Sequence, residues 1–390
     1  MTPAARQAAA IAILDRHLAG QPAEAALTQW ARASRFAGSG DREAVRDWVF
    51  RALRQRRSAL ALAGGSTATG RKLLLGLHRG DGAAPQGWDG TRHHPAPLDA
   101  AEQALLEAPH PALERGERLD CPDWLLAHFD GALGAQADAV LAQLRARAPV
   151  FVRVNTVRAS LASVQAELEA EGIAAQPHPL APHALEITAN PRRLRQSAAL
   201  AEGRVELQDV ASQAVVAAFA RWIDAGAGVL DFCAGGGGKA LALAAEGFAV
   251  SAHDAAPARM RDLPARAARA GAHIALLGDQ VSGQWPAVLA DAPCSGSGSW
   301  RRSPEAKWAL STARLDELVQ TQAAILHRCA ALTAPGGVLG YATCSLFQAE
   351  NDAQITAFLA AHPGWQQRKT LRLTPLDGGD GFFLAVLRRD

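Results

Sequence analysis

The spacing of apolar positions changes character twice along this chain. Through residues 4–58 apolar side chains recur at helical intervals, as at Val45, Trp48, Val49 and Leu53 behind a cap at Asp41, which predicts an all-helical start. Between about 62 and 98, Gly64-Gly-Ser-Thr-Ala-Thr-Gly70 and a stretch rich in Gly, Pro and His predict long loops, interrupted by a short helix at Leu73–Leu77. Helical patterns return at Trp124–Leu126 and Ala137–Arg147. At Val150 the pattern becomes strand-like, in Val150-Phe-Val-Arg-Val-Asn155, followed by a helix capped near Ser160 and ended near Gly172, then a short strand at Leu185–Thr188. Beyond the helix opened by Gln208-Asp-Val-Ala-Ser-Gln213, five apolar runs alternate with helical patterns, the signature of a parallel α/β sheet. With 390 residues, too many for one ordinary core, this divides the chain into a helical part (1–145), a small α+β unit (146–204) and an α/β domain (205–390). No internal repeat is evident.

Each of the five runs ends in a polar or reactive group. Asp231 follows Gly228-Val-Leu, Asp254 follows Ala249-Val-Ser-Ala-His, and Asp279 follows Ile274-Ala-Leu-Leu-Gly. Asp291 follows Val288-Leu-Ala, and Cys344 follows Val338-Leu-Gly-Tyr-Ala-Thr. One such Asp is ordinarily a turn or helix cap. Five groups at the carboxyl ends of parallel strands instead converge on the crevice where doubly wound sheets bind ligands.

Gly235-Gly-Gly-Gly238 opens a helix after the first of these strands, so its backbone can approach a ligand closely. A phosphate-binding P-loop fits poorly, because Cys233 occupies the required first glycine position and Ala240 replaces the metal-binding hydroxyl. Gly235-x-Gly237-x-x-Ala240, with Asp254 19 residues on, fits a dinucleotide or S-adenosylmethionine equally well.

Composition narrows the classes. Apolar residues make up 49%, charged residues 20% and the formal net charge is +2, so global charge points to no partner. Lysine occurs only at Lys72, Lys239, Lys307 and Lys369, and arginine carries the remaining positive charge. Five cysteines without paired zinc-ligand spacing read as reduced thiols, no metal site is expected, and no uncharged run reaches membrane-spanning length. The expectation is a cytoplasmic, monomeric protein. Cys121 and Cys329 read as small buried hydrophobes, and Cys233 as packing behind the glycine loop. Cys294, in Asp291-Ala-Pro-Cys-Ser-Gly-Ser-Gly298, and Cys344, in Tyr341-Ala-Thr-Cys-Ser345, call for more. Hydride transfer needs neither. Methylation at carbon 5 of a pyrimidine needs a thiolate to add to carbon 6, a carboxyl group near ring nitrogen 3 and a route for loss of the carbon 5 proton.

Asp231-Phe-Cys-Ala-Gly-Gly-Gly-Gly-Lys239, Asp291–Gly298, Arg301-Arg-Ser-Pro-Glu-Ala-Lys-Trp308 and Tyr341–Ser345 with Glu350-Asn351 resemble the Sun-type RNA cytosine-C5 methyltransferases. The chain is most similar to the bacterial 16S rRNA branch that carries a NusB-like helical domain. Arg153-Val-Asn-Thr156, Gln208-Asp209, Ser212-Gln213 and Gly378-Gly-Asp-Gly-Phe-Phe383 extend the likeness, while Asp41-Arg42 and Leu53-Arg54 support it in the helical part. The resemblance implies a Rossmann-like class I methyltransferase domain with S-adenosyl-L-methionine as cofactor, Cys344 as nucleophile, Cys294 assisting breakdown of the adduct, and Asp291 contacting the cytosine. It also implies that the cofactor is held by Cys233, Ala234, Gly235, Gly236, Gly237, Gly238 and Lys239 with Asp254, Arg259, Asp279 and Asp291. Here Gly235-Gly236 stand where the family has Ala-Pro, which loosens the unbound loop and lowers the expected cofactor affinity.

For RNA, arginine forks suited to phosphates are Arg153, the Arg192, Arg193 and Arg195 cluster, and Arg301 and Arg302. The target cytosine is expected to be unpaired or flipped, because its carbon 5 is inaccessible in a stacked helix. The reading is methylation of carbon 5 of a cytosine in RNA, with 16S rRNA as partner. Two alternatives are a catalytically weak RNA-binding or ribosome-assembly factor on the same fold, and a DNA cytosine-C5 methyltransferase using Cys294.

Overall fold

Gly70, which reads as the end of a loop, begins a helix, Gly70–Gly80, in the computed structural model, which describes residues 1–390. A Cβ added at Gly70 would lie 2.3 Å from the Ile11 carbonyl oxygen, and one at Gly76 1.8 Å from that of Ala59. The glycines therefore serve close helix crossing rather than chain reversal. Thr69 caps the helix by accepting from the Lys72 amide. Helices Pro3–Leu18, Ala23–Ala33, Ser39–Arg54 and Arg56–Leu62 share its core, in which Ile13, Leu14, Val49, Leu53, Leu73 and Leu74 are buried.

This helical unit comprises Met1–Arg147 together with Trp300–Ala309. The second segment corrects the sequence partition, which left residues 300–309 in the α/β domain. Trp300 and Arg301 are buried, and Trp300 meets Phe129 edge-on at 6.0 Å. Trp308 Nε1 donates to the Leu53 carbonyl at 2.7 Å, and Glu305 accepts from the Ala23 amide at 2.8 Å. Glu305 thereby caps a helix whose own N-cap, Pro22, provides no side-chain bond.

The second unit, Ala148–Ser299 with Leu310–Asp390, holds two sheets. The first is antiparallel and contains β1 (Val150–Val154), β2 (Ala175–Pro177), β3 (Ala184–Ile187) and β4 (Val205–Leu207) in the order β2-β3-β1-β4. One face buries Val152, Val154, Leu185 and Val205 against Val164 and Leu168 of the helix Leu161–Ala170. The other brings Phe151 and Ala184 against Val210, the first residue of the helix Val210–Ala220.

The second sheet has seven strands: β5 (Gly228–Asp231), β6 (Ala249–Ala252), β7 (Ile274–Leu276), β8 (Trp285–Asp291), β9 (Thr333–Thr343), β10 (Trp365–Leu373) and β11 (Phe382–Arg389). Their order is β10-β11-β9-β8-β5-β6-β7, with β5 to β9 mutually parallel and β11 antiparallel to both neighbours. All five apolar runs form the parallel part, and buried clusters cover both faces, as the continuous hydrophobicity of such strands requires. The β10–β11 hairpin is an addition to the elements expected from the pattern. Asp231 ends β5, Asp291 ends β8, and Asp254, Asp279 and Cys344 lie just beyond β6, β7 and β9, all at one edge of the sheet. No helix is long and apolar enough to cross a membrane.

Candidate active site

The parallel pairing of β8 with β9 puts Asp291 opposite Ala342, so the loop after β8 and the end of β9 leave the sheet side by side. The Ala292 amide donates to the Ala342 carbonyl at 2.9 Å and the Gly298 amide to the Cys344 carbonyl at 3.0 Å. Between these ties the Sγ atoms of Cys294 and Cys344 lie 3.4 Å apart, both in half-buried residues. Such proximity breaks the symmetry of the pair. Hydrogen bonding from Cys294 lowers the Cys344 pKa against the effect of burial, and Lys239 and Ser299, whose Oγ is 4.0 Å from the sulfur, assist. The same bond, burial and the neighbouring Glu350 charge push Cys294 well above its ordinary value. Of the two, Cys344 is the more readily ionised and Cys294 the less.

Lys239 and Asp291 form the other half of the site. Lys239 Nζ donates to Asp291 Oδ2 at 2.7 Å and lies 4.8 Å from the centre of the Phe382 ring. Burial opposes its charge, but Asp291 outweighs that and holds the ammonium above its ordinary pKa. Below them Asp231 is fully buried, and neither carboxylate oxygen has a well-formed hydrogen bond, the Ala240 amide contributing only weakly. Burial, reinforced by Asp291, raises the Asp231 pKa to about 7. A folded-state pKa above the unfolded value stabilises the fold in acid, and this contribution fades as pH rises through about 7. Asp231→Asn is therefore expected to stabilise the ligand-free protein at pH 8 by as much as ~4 kcal/mol, with the gain shrinking at pH 5. Thermal unfolding at the two pH values checks this, and an equal gain at both would contradict it.

The glycine loop is braced. Gly235 and Gly237 have φ of 53° and 80°, and a Cβ at Gly237 would lie 2.2 Å from Leu263 Cδ1. The Gly235 amide donates to Asp254 at 2.8 Å, Arg266 donates to the Gly236 carbonyl, and Gln208 Nε2 donates to the Gly238 carbonyl at 3.2 Å. Three tethers thus act where the family has a proline. Arg259 pairs with Asp254 at 3.1 Å, while Asp279 is exposed beyond β7. Burial pushes the Cys233 thiol well up, in keeping with a packing residue. No side chain caps the helix Gly238–Ala245. An uncapped helix N-terminus can take a carboxylate, poorly bonded Asp231 an ammonium, and Asp254 and Asp279 ribose hydroxyls. This donor and acceptor set fits S-adenosyl-L-methionine.

Two of the arginines expected on an RNA surface are not on one. Arg153 points into the face of β1 that meets the helix Val210–Ala220, donating to Gln208 at 2.8 Å, and Arg301 is 1% exposed. Val152 and Val154 flank Arg153, and the buried Trp300 precedes Arg301, so each follows an apolar or aromatic neighbour into the interior. Arg192, Arg193, Arg195 and Arg302 are exposed. The pairing of Lys239 with Asp291 and the role of Glu350 are absent from the sequence reading, since spacing reveals neither.

A family model described as 16S rRNA methyltransferase RsmB/F matches residues 223–388, and one for the ferredoxin-like domain of RsmF/B-like methyltransferases matches residues 121–192. Ribosomal RNA small subunit methyltransferase B of Salmonella arizonae is 33% identical over 286 residues, 68% of this chain. The match spans 66% of that relative's length. The crystal structure of PH0851 aligns with a TM-score of 0.78 at 24% identity over 100% of this chain and 99% of that one. A methyltransferase homolog from Pyrococcus horikoshii aligns at 0.63 and 22% identity over 71% and 98%. These likenesses and the strand order give a Rossmann-like class I methyltransferase fold, for which S-adenosyl-L-methionine is the cofactor. The chain belongs to the 16S rRNA methyltransferase RsmB/F family.

Proposed function

We propose that the protein methylates carbon 5 of a cytosine in 16S rRNA through a covalent adduct with Cys344. The observation that carries this is the pair of unequal thiols 3.4 Å apart beside the Lys239–Asp291 pair. Cys344, as thiolate, forms the S–C6 bond while the C5–C6 π electrons shift to carbon 5, and Asp291 stabilises the altered ring near nitrogen 3. Bound S-adenosyl-L-methionine supplies the methyl group that carbon 5 takes up. Transfer of the carbon 5 proton to a base, water or a side chain of the site, then lets the C–H electron pair restore the double bond and the S–C6 pair return to Cys344 as thiolate, with Cys294 assisting this breakdown. Asp231, Asp254, Asp279, Arg259 and the Cys233–Lys239 loop hold the cofactor in this reading. Arg192, Arg193, Arg195 and Arg302 contact phosphates, residues 146–204 act as an RNA-binding subdomain, and residues 1–145 form a NusB-like helical domain.

The lowered pKa of Cys344 and the raised pKa of Cys294, set mainly by their mutual hydrogen bond, support Cys344 over Cys294 as nucleophile, which weighs against the DNA-type alternative. The test is transfer of labelled methyl from S-adenosyl-L-methionine to undermethylated small-subunit rRNA, with the product nucleoside identified after digestion. Label at carbon 5 of cytosine is expected. No transfer by folded protein to naked rRNA or to small-subunit particles would favour the non-catalytic RNA-binding factor instead.

A further inference from the structure

The reaction needs two cysteines of opposite character, yet both are the same residue in adjoining loops. One buried carboxylate touches both loops. Glu350 lies in a short 3-10 turn, Gln348–Glu350, and is 0% exposed. Its Oε1 accepts from the Ser295 amide at 2.7 Å and from Gln322 Nε2 at 3.0 Å. Its Oε2 accepts from Ser295 Oγ at 2.5 Å and from Ser345 Oγ. Ser295 immediately follows Cys294 and Ser345 immediately follows Cys344.

The surrounding bonds make this carboxylate the centre of a rigid knot. Gln322 also donates to the Pro293 carbonyl at 2.9 Å, and Tyr341 OH donates to the Glu350 carbonyl at 2.7 Å. Next in sequence, Asn351 accepts from Thr343 Oγ1 at 2.6 Å and donates to the Ser345 carbonyl at 2.9 Å. Four donors converge on this one side chain, two on each oxygen.

We propose that Glu350 is the positioning residue that widens the difference between the two thiols: it ties the loop of Cys294 to the strand end of Cys344 and, with both oxygens bonded to Ser295 and only Oε2 to Ser345, sets its carboxylate on the Cys294 side of the pair. The charged groups facing the thiols come from three elements. Asp291 stands at the end of β8, Lys239 in the glycine-loop helix, and Glu350 in the turn after β9. Lys239 favours ionisation of Cys344, Asp291 opposes it, and Glu350 disfavours ionisation of Cys294. The functional consequence rests on the proposed cytosine chemistry, but the ordering of the thiols does not.

The experiment is site-resolved alkylation of the full-length protein by iodoacetamide across pH, each cysteine read by peptide mass spectrometry, beside the methyl-transfer assay. Glu350→Gln is expected to speed Cys294 alkylation several-fold at pH 8 and slow that of Cys344, narrowing the gap between them, while Glu350→Asp restores part of it. Ser345→Ala, which keeps the charge but releases the β9 side, is expected to lower turnover with the order of the thiols intact. Should Glu350→Gln not fold, as judged by loss of a cooperative thermal transition, Glu350→Asp and Ser345→Ala carry the test. Unchanged alkylation order in folded Glu350→Gln, or an equal collapse of that order in Ser345→Ala, would overturn the proposal. Because alkylation requires neither RNA nor cofactor, a wild type that shows the thiol order but transfers no methyl would count against the cytosine reading alone.

Discussion

Cys344→Ala is expected to lower methyl transfer by at least about four orders of magnitude, as removal of a covalent nucleophile does, and to eliminate any RNA-linked protein on denaturing gels. Carbon 5 of cytosine is too weak a nucleophile until sulfur adds to carbon 6, so no other residue in the site replaces this role. Cys294→Ala should behave differently. On the proposed mechanism it leaves Cys344 in place and removes the thiol 3.4 Å away that would assist adduct breakdown. The expected result is a protein–RNA adduct that accumulates while turnover falls. An adduct that persists in Cys344→Ala and vanishes in Cys294→Ala would reverse the two assignments. Loss of adduct in both would show that the pair acts only as a unit.

The second large effect concerns Lys239. Its ammonium neutralises Asp291 at 2.7 Å, moderates the buried charge of Asp231 and favours the Cys344 thiolate. Lys239→Met leaves half-buried Asp291 without its partner, which is expected to cost less than the about 3–5 kcal/mol of breaking a fully buried pair from one side. Loss of such a preorganised charge is expected to reduce kcat by a factor on the order of 10² to 10³. The pH profile separates the causes. On the proposed mechanism wild-type activity is expected to rise as pH passes the lowered pKa of Cys344, because a thiolate is the reactive form of a cysteine nucleophile. Without the ammonium that pKa moves up, so the acid limb of the profile shifts to higher pH. A uniform drop at every pH would instead mean that Lys239 acts only through the orientation of Asp291. Lys239→Met combined with Asp291→Asn is expected to recover much of the stability and none of the activity.

The glycine loop shows how a local departure can be answered from a distance. Replacement of Ala-Pro by Gly235-Gly236 frees the unfolded chain, and sequence alone predicts a looser loop. Asp254, Arg266 and Gln208 each hold one loop residue through its backbone. Arg266 also pairs with Glu206 at 2.9 Å, and Gln208 receives the Arg153 bond, so the bracing runs back into β4 and β1 of the small sheet. The position of Arg153 inside that network explains why an arginine expected at the RNA surface is buried.

What the sequence by itself determined is local and periodic. Five apolar runs with polar ends specify a parallel sheet, because strands covered on both faces must be continuously apolar and their carboxyl ends must share an edge. The two cysteine motifs and the glycine loop are legible for the same reason, since each is contiguous in the chain. The tertiary structure decided everything that depends on distance through space. Edge strand β10 carries Gln366, Gln367, Arg368 and Lys369, a polar run without strand-like alternation, and gains its place only by pairing with β11. Gly70 and Gly76 read as turn-forming or neutral until the backbones of Ile11 and Ala59 lie against them. Residues 300–309 leave the α/β unit for the helical one because Trp300 and Trp308 find partners there, which no spacing rule records. The unequal thiols arise likewise. Their characters differ first because the fold brings Cys294 and Cys344, 50 positions apart, into contact, with Lys239 and Glu350 adding smaller contributions, and electrostatic shifts follow distance in the fold rather than separation in the chain.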